Sequence, residues 1–352
     1  MMMKQTMAAL AAGLSILMLT GSFAAMAEQV GFRQTELTDK SGNRDLKVAL
    51  WYPTSDTKPV VMIGENPAFI GIEAIKDAAP DKNAHPLVVL SHGYGGSWRN
   101  LNWLAGELVG QGYIVAAPDH PGTTTFNRDK EQAAKLWERP HDLSRVIDAV
   151  SSDSALAGRV ESKRIAAIGY SLGGWSVVAL AGAQFDRERF EKDCKDNPNP
   201  RTCGLADELI NPQGDVAAEK LKTMKADPRV GAVVSLDLGL ARGFTPESLN
   251  SISVPALIFG AGVDIGDLPA KMESGYIAAN MPDKTTQYIE IADAAHFSFM
   301  QNCKAGAVEM IEAETPGDGI VCKDGAGRSR EAIHREVADK IIAFLEKSIP
   351  AQ

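Results

Sequence analysis

The stretch Arg164-Ile165-Ala166-Ala167-Ile168-Gly169-Tyr170-Ser171-Leu172-Gly173-Gly174-Trp175 decides how this chain is read. An apolar, β-type run ends in Gly-x-Ser-x-Gly and passes directly into a helical segment, Leu172 to Leu180. Glycines at 169 and 173 let neighbouring backbone crowd a serine carried on a strained strand-to-helix elbow. Ser171 is therefore expected to project from the sheet edge as a nucleophile. The backbone N–H of Leu172, at the start of the helix, would face the oxyanion that forms there.

Upstream of the elbow, Pro86-Leu87-Val88-Val89-Leu90 is a continuous apolar run that suits a strand buried on both faces of a parallel sheet. It leads into Ser91-His92-Gly93-Tyr94-Gly95-Gly96, followed by a helical pattern from Leu101 to Val109. A glycine-rich turn at this place supplies a second oxyanion donor, assigned to the backbone N–H of Tyr94. His92 is read as a structural residue of that loop. Tyr113 to Ala117 forms the next strand, ending at Pro118-Asp119-His120-Pro121-Gly122. Asp119 and His120 precede the serine in the chain and are set aside as catalytic groups. From Trp137 to Val150, apolar residues at helical spacing (Leu143, Val146, Ile147, Val150) predict a crossover helix into the nucleophile strand.

Downstream, residues 184–228 are charged, carry Asn197-Pro198-Asn199-Pro200 and break the strand–helix alternation. They are read as a small helical cap over the site. The alternation resumes with Val230 to Leu236, ending at Asp237, and Pro255 to Phe259, leading to Asp264. A further strand, Gln287 to Ile291, is followed by Asp293-Ala294-Ala295-His296-Phe297, and a last helix runs from Arg330 to Leu345. Near the N-terminus, Gly31 to Thr38 and Arg44 to Tyr52 read as two antiparallel strands, and residues 53–85, punctuated by proline and glycine, as a surface excursion. The whole predicts an α/β fold with a mostly parallel central sheet flanked by helices.

A serine hydroxyl is a weak nucleophile at neutral pH. It needs a neutral imidazole to take its proton and a carboxylate to orient that imidazole. The chain order Ser171, aspartate, His296 is the one expected on such a sheet. Asp264 is preferred as the acid because it ends the strand after next from the nucleophile, with Asp237 the alternative and Asp267 a third candidate.

The chain has 352 residues, 45% of them apolar, and a formal net charge of -9. This suffices for one large core, and the acidic balance argues against a nucleic-acid partner. Lys4, the apolar run Met7 to Leu19 and the terminal Ala25-Met26-Ala27 predict a secretory signal over residues 1–27, with 28–352 as one domain. That run is short for a permanent membrane anchor, so a periplasmic or secreted protein is expected. Export and an even cysteine count predict disulfides. The sequence-local pairs Cys194–Cys203 and Cys303–Cys322 are chosen because each brackets a Gly/Pro/Asn-rich loop. Their spacings match no common zinc pattern, and no metal or cofactor is expected.

From about Leu87 onward the chain resembles exported bacterial α/β-hydrolases of the predicted dienelactone hydrolase type, relatives of the secreted platelet-activating-factor acetylhydrolases. The resemblance rests on Ser91-His92-Gly93-Tyr94-Gly95-Gly96, Gly169-Tyr170-Ser171-Leu172-Gly173-Gly174, Phe244-Thr245-Pro246-Glu247-Ser248-Leu249 and His296-Phe297-Ser298-Phe299. It implies an α/β-hydrolase fold and a metal-free serine esterase acting on short-acyl or lactone esters. Dienelactone hydrolases proper carry a cysteine nucleophile, so lactone specificity does not transfer. In the acetylhydrolases the acid matches Asp237, and in many other hydrolases it matches Asp264. The expected activity is hydrolysis of small-molecule carboxylic esters through an acyl-serine. Lipase, phospholipase or amidase chemistry with the same triad, and a non-catalytic binding protein, are the alternatives.

Overall fold

The computed structural model of the protein describes residues 29–40, 43–325 and 327–351. The expected signal segment, 1–27, lies outside the described residues. Among the described residues ten strands form one sheet: β1 (Gln29–Leu37), β2 (Leu46–Thr54), β3 (Val61–Ile63), β4 (Ile72–Lys76), β5 (Ala84–Ser91), β6 (Ile114–Asp119), β7 (Arg159–Tyr170), β8 (Val230–Leu236), β9 (Ala256–Val263) and β10 (Thr286–Ala295). Their order across the sheet is β10-β9-β8-β7-β5-β6-β2-β1-β4-β3. The six strands from β10 to β6 pair in parallel, whereas β2 pairs antiparallel with both β6 and β1.

The central strands alternate their side chains between two cores, as a sheet covered on both faces requires. Leu87 and Val89 of β5 enter one core, with Leu143, Val146 and Ile147 of the helix Glu138–Ser152 and Trp175 and Val178 of the helix Leu172–Leu180. Val88 and Leu90 enter the other, with Leu104 and Leu108 of the helix Asn102–Val109 and Ile333, Val337 and Ile341 of the helix Arg330–Ser348. The helix Glu138–Ser152 buries an apolar stripe against its face of the sheet, whereas the helix Leu172–Leu180 is buried along its whole length.

Residues 53–85 depart from the expectation of a surface excursion. They supply two edge strands, with β4 parallel to β1 and β3 antiparallel to β4, and they bury Ile63, Ala74, Ile75 and Ala78. Gly64, Pro67 and Gly71 lie between these strands, which are only three and five residues long. Such short runs leave too few residues for an alternating pattern to register.

Between the helix Leu172–Leu180 and β8 the chain forms three helices, Arg187–Asp196, Pro200–Leu209 and Gly214–Lys222. Phe185, Phe190, Leu209, Ala217 and Leu221 root them in the core cluster around Trp175. Cys194 is bonded to Cys203, joining the first two of these helices, and Cys303 to Cys322. The Cα separations are 5.7 and 5.8 Å, within the ordinary disulfide range. Among the described residues no helix is long and apolar enough to cross a membrane.

The crossing of β5, β7 and the elbow helix leaves no room for side chains at the motif glycines. A Cβ on Gly173 would lie 1.9 Å from the Ser91 carbonyl oxygen, and one on Gly169 would lie 2.0 Å from that of Gly173. Backbone cannot move aside as a flexible side chain can. Gly173→Ala is accordingly expected to cost about 3 kcal/mol or more, read as a lowered urea midpoint at an unchanged m-value.

Candidate active site

Ser171 stands at the top of β7 with φ 55° and ψ −121°, a backbone conformation that a residue with a side chain rarely adopts. Its N–H donates to the Leu236 carbonyl of β8 at 2.9 Å, tying the elbow to the neighbouring strand. The hydroxyl lies 3.0 Å from His296 Nε2, and His296 Nδ1 lies 2.6 Å from Asp237 Oδ2. A carboxylate only accepts, so Nδ1 carries the proton and Nε2 turns its lone pair to the serine hydroxyl. His296 and Asp237 are almost fully buried, and Ser171 is half-buried at the floor of an open cavity.

Each partner is fixed from outside this line. Asp237 follows β8 with φ 46°, its N–H donates to Phe259 O, and its Oδ1 accepts the Ala261 N–H of β9 at 2.8 Å. His296 opens a short helical turn, His296–Phe299, directly after β10. The Ser298 hydroxyl anchors this turn by accepting the Ala295 N–H at 2.9 Å and donating to Asp324 at 2.6 Å. Buried Arg330 donates to Asp324 and to the carbonyls of Gln301 and Val321, locking the same loop from the last helix.

The preference for Asp264 as the acid is corrected by this geometry. Its Oδ1 accepts the Leu268 N–H at 2.9 Å and closes the local turn 264–268, one strand farther out. Asp267 lines the cavity, and its backbone carbonyl accepts from Asn199. His92, Asp119 and His120 are buried and do not line the cavity. Burial pushes the Asp119 carboxyl up to about 6, although it accepts the Trp98 N–H.

Leu172 is the first residue of its helix, so its N–H has no carbonyl one turn earlier to meet. Tyr94 lies on the loop after β5, where Gly93 packs close enough for a Cβ to fall 3.1 Å from that of Ser171. Among the described residues the Tyr94 amide meets no backbone or side-chain acceptor. Its phenol donates to Glu208 at 2.6 Å, linking the loop to the helix Pro200–Leu209. Burial, seconded by the carboxylate, pushes that phenol up to about 12, so it remains a donor.

The cavity above Ser171 measures about 770 Å³. Thr202 and Leu205 of the helix Pro200–Leu209 line one part of it, and Phe297, Met300, Ile311, Ile320 and Val321 line an apolar part on segments that the Cys303–Cys322 bond joins. Phe69, from the proline-rich segment, also borders it and bridges to Cys303. Arg128 and Arg201 line it as well, over the rings of Tyr94 and Phe297. Phe69 and Arg128 sit on loops without periodicity, whereas Ile311 belongs to the helix Ala307–Glu314 and Ile320 and Val321 to the short helical turn Asp318–Cys322. The cap reading of 184–228 marked the segment of Arg201, Thr202 and Leu205 in advance, and the Cys303–Cys322 spacing marked that of Ile311, Ile320 and Val321. Among the described residues no cluster of His, Cys, Asp and Glu fits a metal ion.

Residues 88–307 match the alpha/beta hydrolase family, a span running from β5 past His296. The chain belongs to that family. It is similar to cutinase est1 of Thermobifida alba, 23% identical over 225 residues, 62% of this chain and 55% of that one. To epoxide hydrolase B of Mycobacterium tuberculosis it is 34% identical over 85 residues, 24% of each. The chain therefore spans about half or less of the curated relatives it matches. A solved ferulic acid esterase from Streptomyces cinnamoneus superposes with a TM-score of 0.65 at 21% identity, covering 93% of this chain and 92% of the other. That likeness extends to the alpha/beta hydrolase fold.

The two aspartates make the geometry testable through the reactivity of the serine. Asp237→Asn should slow fluorophosphonate labelling of Ser171, followed by mass spectrometry, by about a thousandfold or more, because the imidazole loses the partner that sets its tautomer. Asp264→Asn should change it by less than about threefold. The opposite ranking would return the acid to the later strand.

Proposed function

We propose that this alpha/beta hydrolase cleaves carboxylic esters through an acyl-serine intermediate. The observation that carries the reading is the unbroken line from the Ser171 hydroxyl through His296 to Asp237, ending at an open cavity. Ser171 attacks the ester carbonyl while His296 Nε2 takes its proton, and Asp237 stabilises the imidazolium that forms. The backbone N–H groups of Tyr94 and Leu172 hold the oxyanion. His296 then returns the proton to the leaving alcohol, and a water repeats the sequence in reverse to release the acid.

The cutinase and ferulic acid esterase relatives agree with an ester bond as the target. The sequence resemblance to dienelactone hydrolases and acetylhydrolases agrees with a small acyl group. We read the inserted segment 184–228 as a cap that shapes the cavity, since it contributes Arg201, Thr202 and Leu205 to the wall. The two disulfides, together with the leader read from the sequence, support export.

Ser171→Ala is expected to abolish p-nitrophenyl acetate hydrolysis, leaving at most about a thousandth of the wild-type rate, with an unchanged melting temperature. Retained turnover would remove Ser171 as nucleophile. A p-nitrophenyl series from acetate to palmitate checks the acyl class. A steep fall in kcat/KM beyond butyrate supports small esters, and a rise toward palmitate replaces that reading with a lipase.

A further inference from the structure

The chain contains a second serine–histidine–aspartate line, closed off from the cavity. Ser91 Oγ lies 2.9 Å from His120 Nε2, and His120 Nδ1 lies 2.8 Å from Asp142 Oδ2. Arg44 clamps Asp142 with two hydrogen bonds of 2.8 and 2.7 Å. Ser91, His120 and Asp142 have no solvent exposure, and Ser91 is the last residue of β5. No substrate reaches this array, and none of its members has a part in the ester chemistry above. Its contacts nevertheless converge on the loop that follows β5.

The path runs from atom to atom. The His120 backbone N–H donates to His92 Nε2 at 3.0 Å, which makes Nε2 the acceptor and leaves the proton on Nδ1. Burial holds both His92 and His120 well below the usual histidine range, keeping each ring neutral, as that assignment requires. His92 Nδ1–H then donates to the carbonyl of Gly93 at 2.7 Å, and the Gly96 N–H donates to the same oxygen at 3.1 Å. Fully buried Arg139, from the helix Glu138–Ser152, donates to the carbonyl of His92 and to the hydroxyls of Ser91, Thr123 and Ser176. Two consecutive carbonyls, those of His92 and Gly93, are thus held by side-chain donors.

The carbonyl of Gly93 and the N–H of Tyr94 belong to one planar, trans peptide unit and point in opposite directions. Fixing the oxygen fixes the hydrogen. We infer that His92 is a positioning residue that aims the Tyr94 N–H at the oxyanion by clamping the other end of the same peptide, with Arg139 holding the preceding one. The inference rests on the ester-hydrolase reading, in which that N–H stabilises charge developing at the reacting carbonyl. A donor fixed before the reaction needs no reorganisation as the charge appears, so its aim matters in the transition state more than in substrate binding.

The test separates the clamp from a merely structural histidine. Asn can place its side-chain N–H near the position of Nδ1, whereas Gln places its amide near Nε2 and leaves the Gly93 carbonyl without a side-chain donor. His92→Asn is expected to keep kcat for p-nitrophenyl acetate within about fivefold of wild type, and His92→Gln to lower it about thirtyfold or more, with KM within about threefold in both. A trifluoromethyl ketone, whose adduct with Ser171 carries the oxyanion, should lose affinity for His92→Gln by a factor similar to the loss in kcat. Arg139→Lys, which keeps the charge but fewer donors, should fall between the two. If His92→Gln matches or exceeds His92→Asn, or if the loss lies in KM with ketone affinity unchanged, the clamp is wrong. Ser171→Ala is run in parallel. Activity lost there but unaffected by the His92 substitutions overturns the clamp alone, whereas activity retained in Ser171→Ala overturns the ester-hydrolase reading beneath it.

Discussion

The backbone of Ser171 is the constraint on which the rest of the site depends. At φ 55° it turns the chain from strand to helix within one residue and leaves the hydroxyl at the carboxyl edge of the sheet. Such a conformation costs on the order of 1–3 kcal/mol and persists only where the surroundings over-determine it. Here they do. The Ser171 N–H is held by β8, and three glycines let backbone and the serine itself close in: Gly169 against Gly173, Gly173 against Ser91, and Gly93 against Ser171. The last two contacts bring the loop after β5 to Ser171. The tight elbow and the proximity of Tyr94 thus have one steric cause.

The second requirement is to deliver an imidazole across 125 residues of sequence. Parallel strand order does most of this, because β7, β8, β9 and β10 are consecutive neighbours and their carboxyl ends share one edge. The remaining distance is covered locally by the turn after β10, held through Ser298, Asp324 and Arg330. Asp237 needs no excursion. Its strand adjoins β7, its positive φ turns it toward the site, and a β9 amide orients the carboxylate.

These physical differences explain what the sequence made legible. The elbow, the flanking strands, the long helices and the two cysteine pairs are local patterns in which periodicity or spacing carries the information. The identity of Ser171 and His296 as neighbours follows from motif and chain order. The choice between Asp237 and Asp264 does not, because both end adjacent strands and the decision lies in side-chain partners. Asp264 is engaged by the Leu268 amide, a turn contact with no sequence signature. The same holds for β3 and β4, too short to show alternation, and for the parts of the cavity wall that come from the irregular segments around Phe69 and Arg128.

The network behind the loop after β5 poses a different problem. Arg139 is fully buried, and burial pulls its guanidinium down to about 9, so the fold bears a desolvation cost there. Buried ion pairs and charged groups are weak arguments for stability, since apolar residues of similar volume often serve as well. Arg139 instead joins the crossover helix, the helix Leu172–Leu180 through Ser176, the segment after β6 through Thr123, and the loop after β5 through His92. An apolar side chain would fill that volume but could not orient carbonyls. Orientation is the property that packing alone leaves underdetermined, because a peptide can rotate between two arrangements of similar volume. A fixed set of donors removes that freedom. The buried charge is therefore better explained by the single arrangement it enforces on the backbone beside Ser171 than by any contribution to the folding free energy.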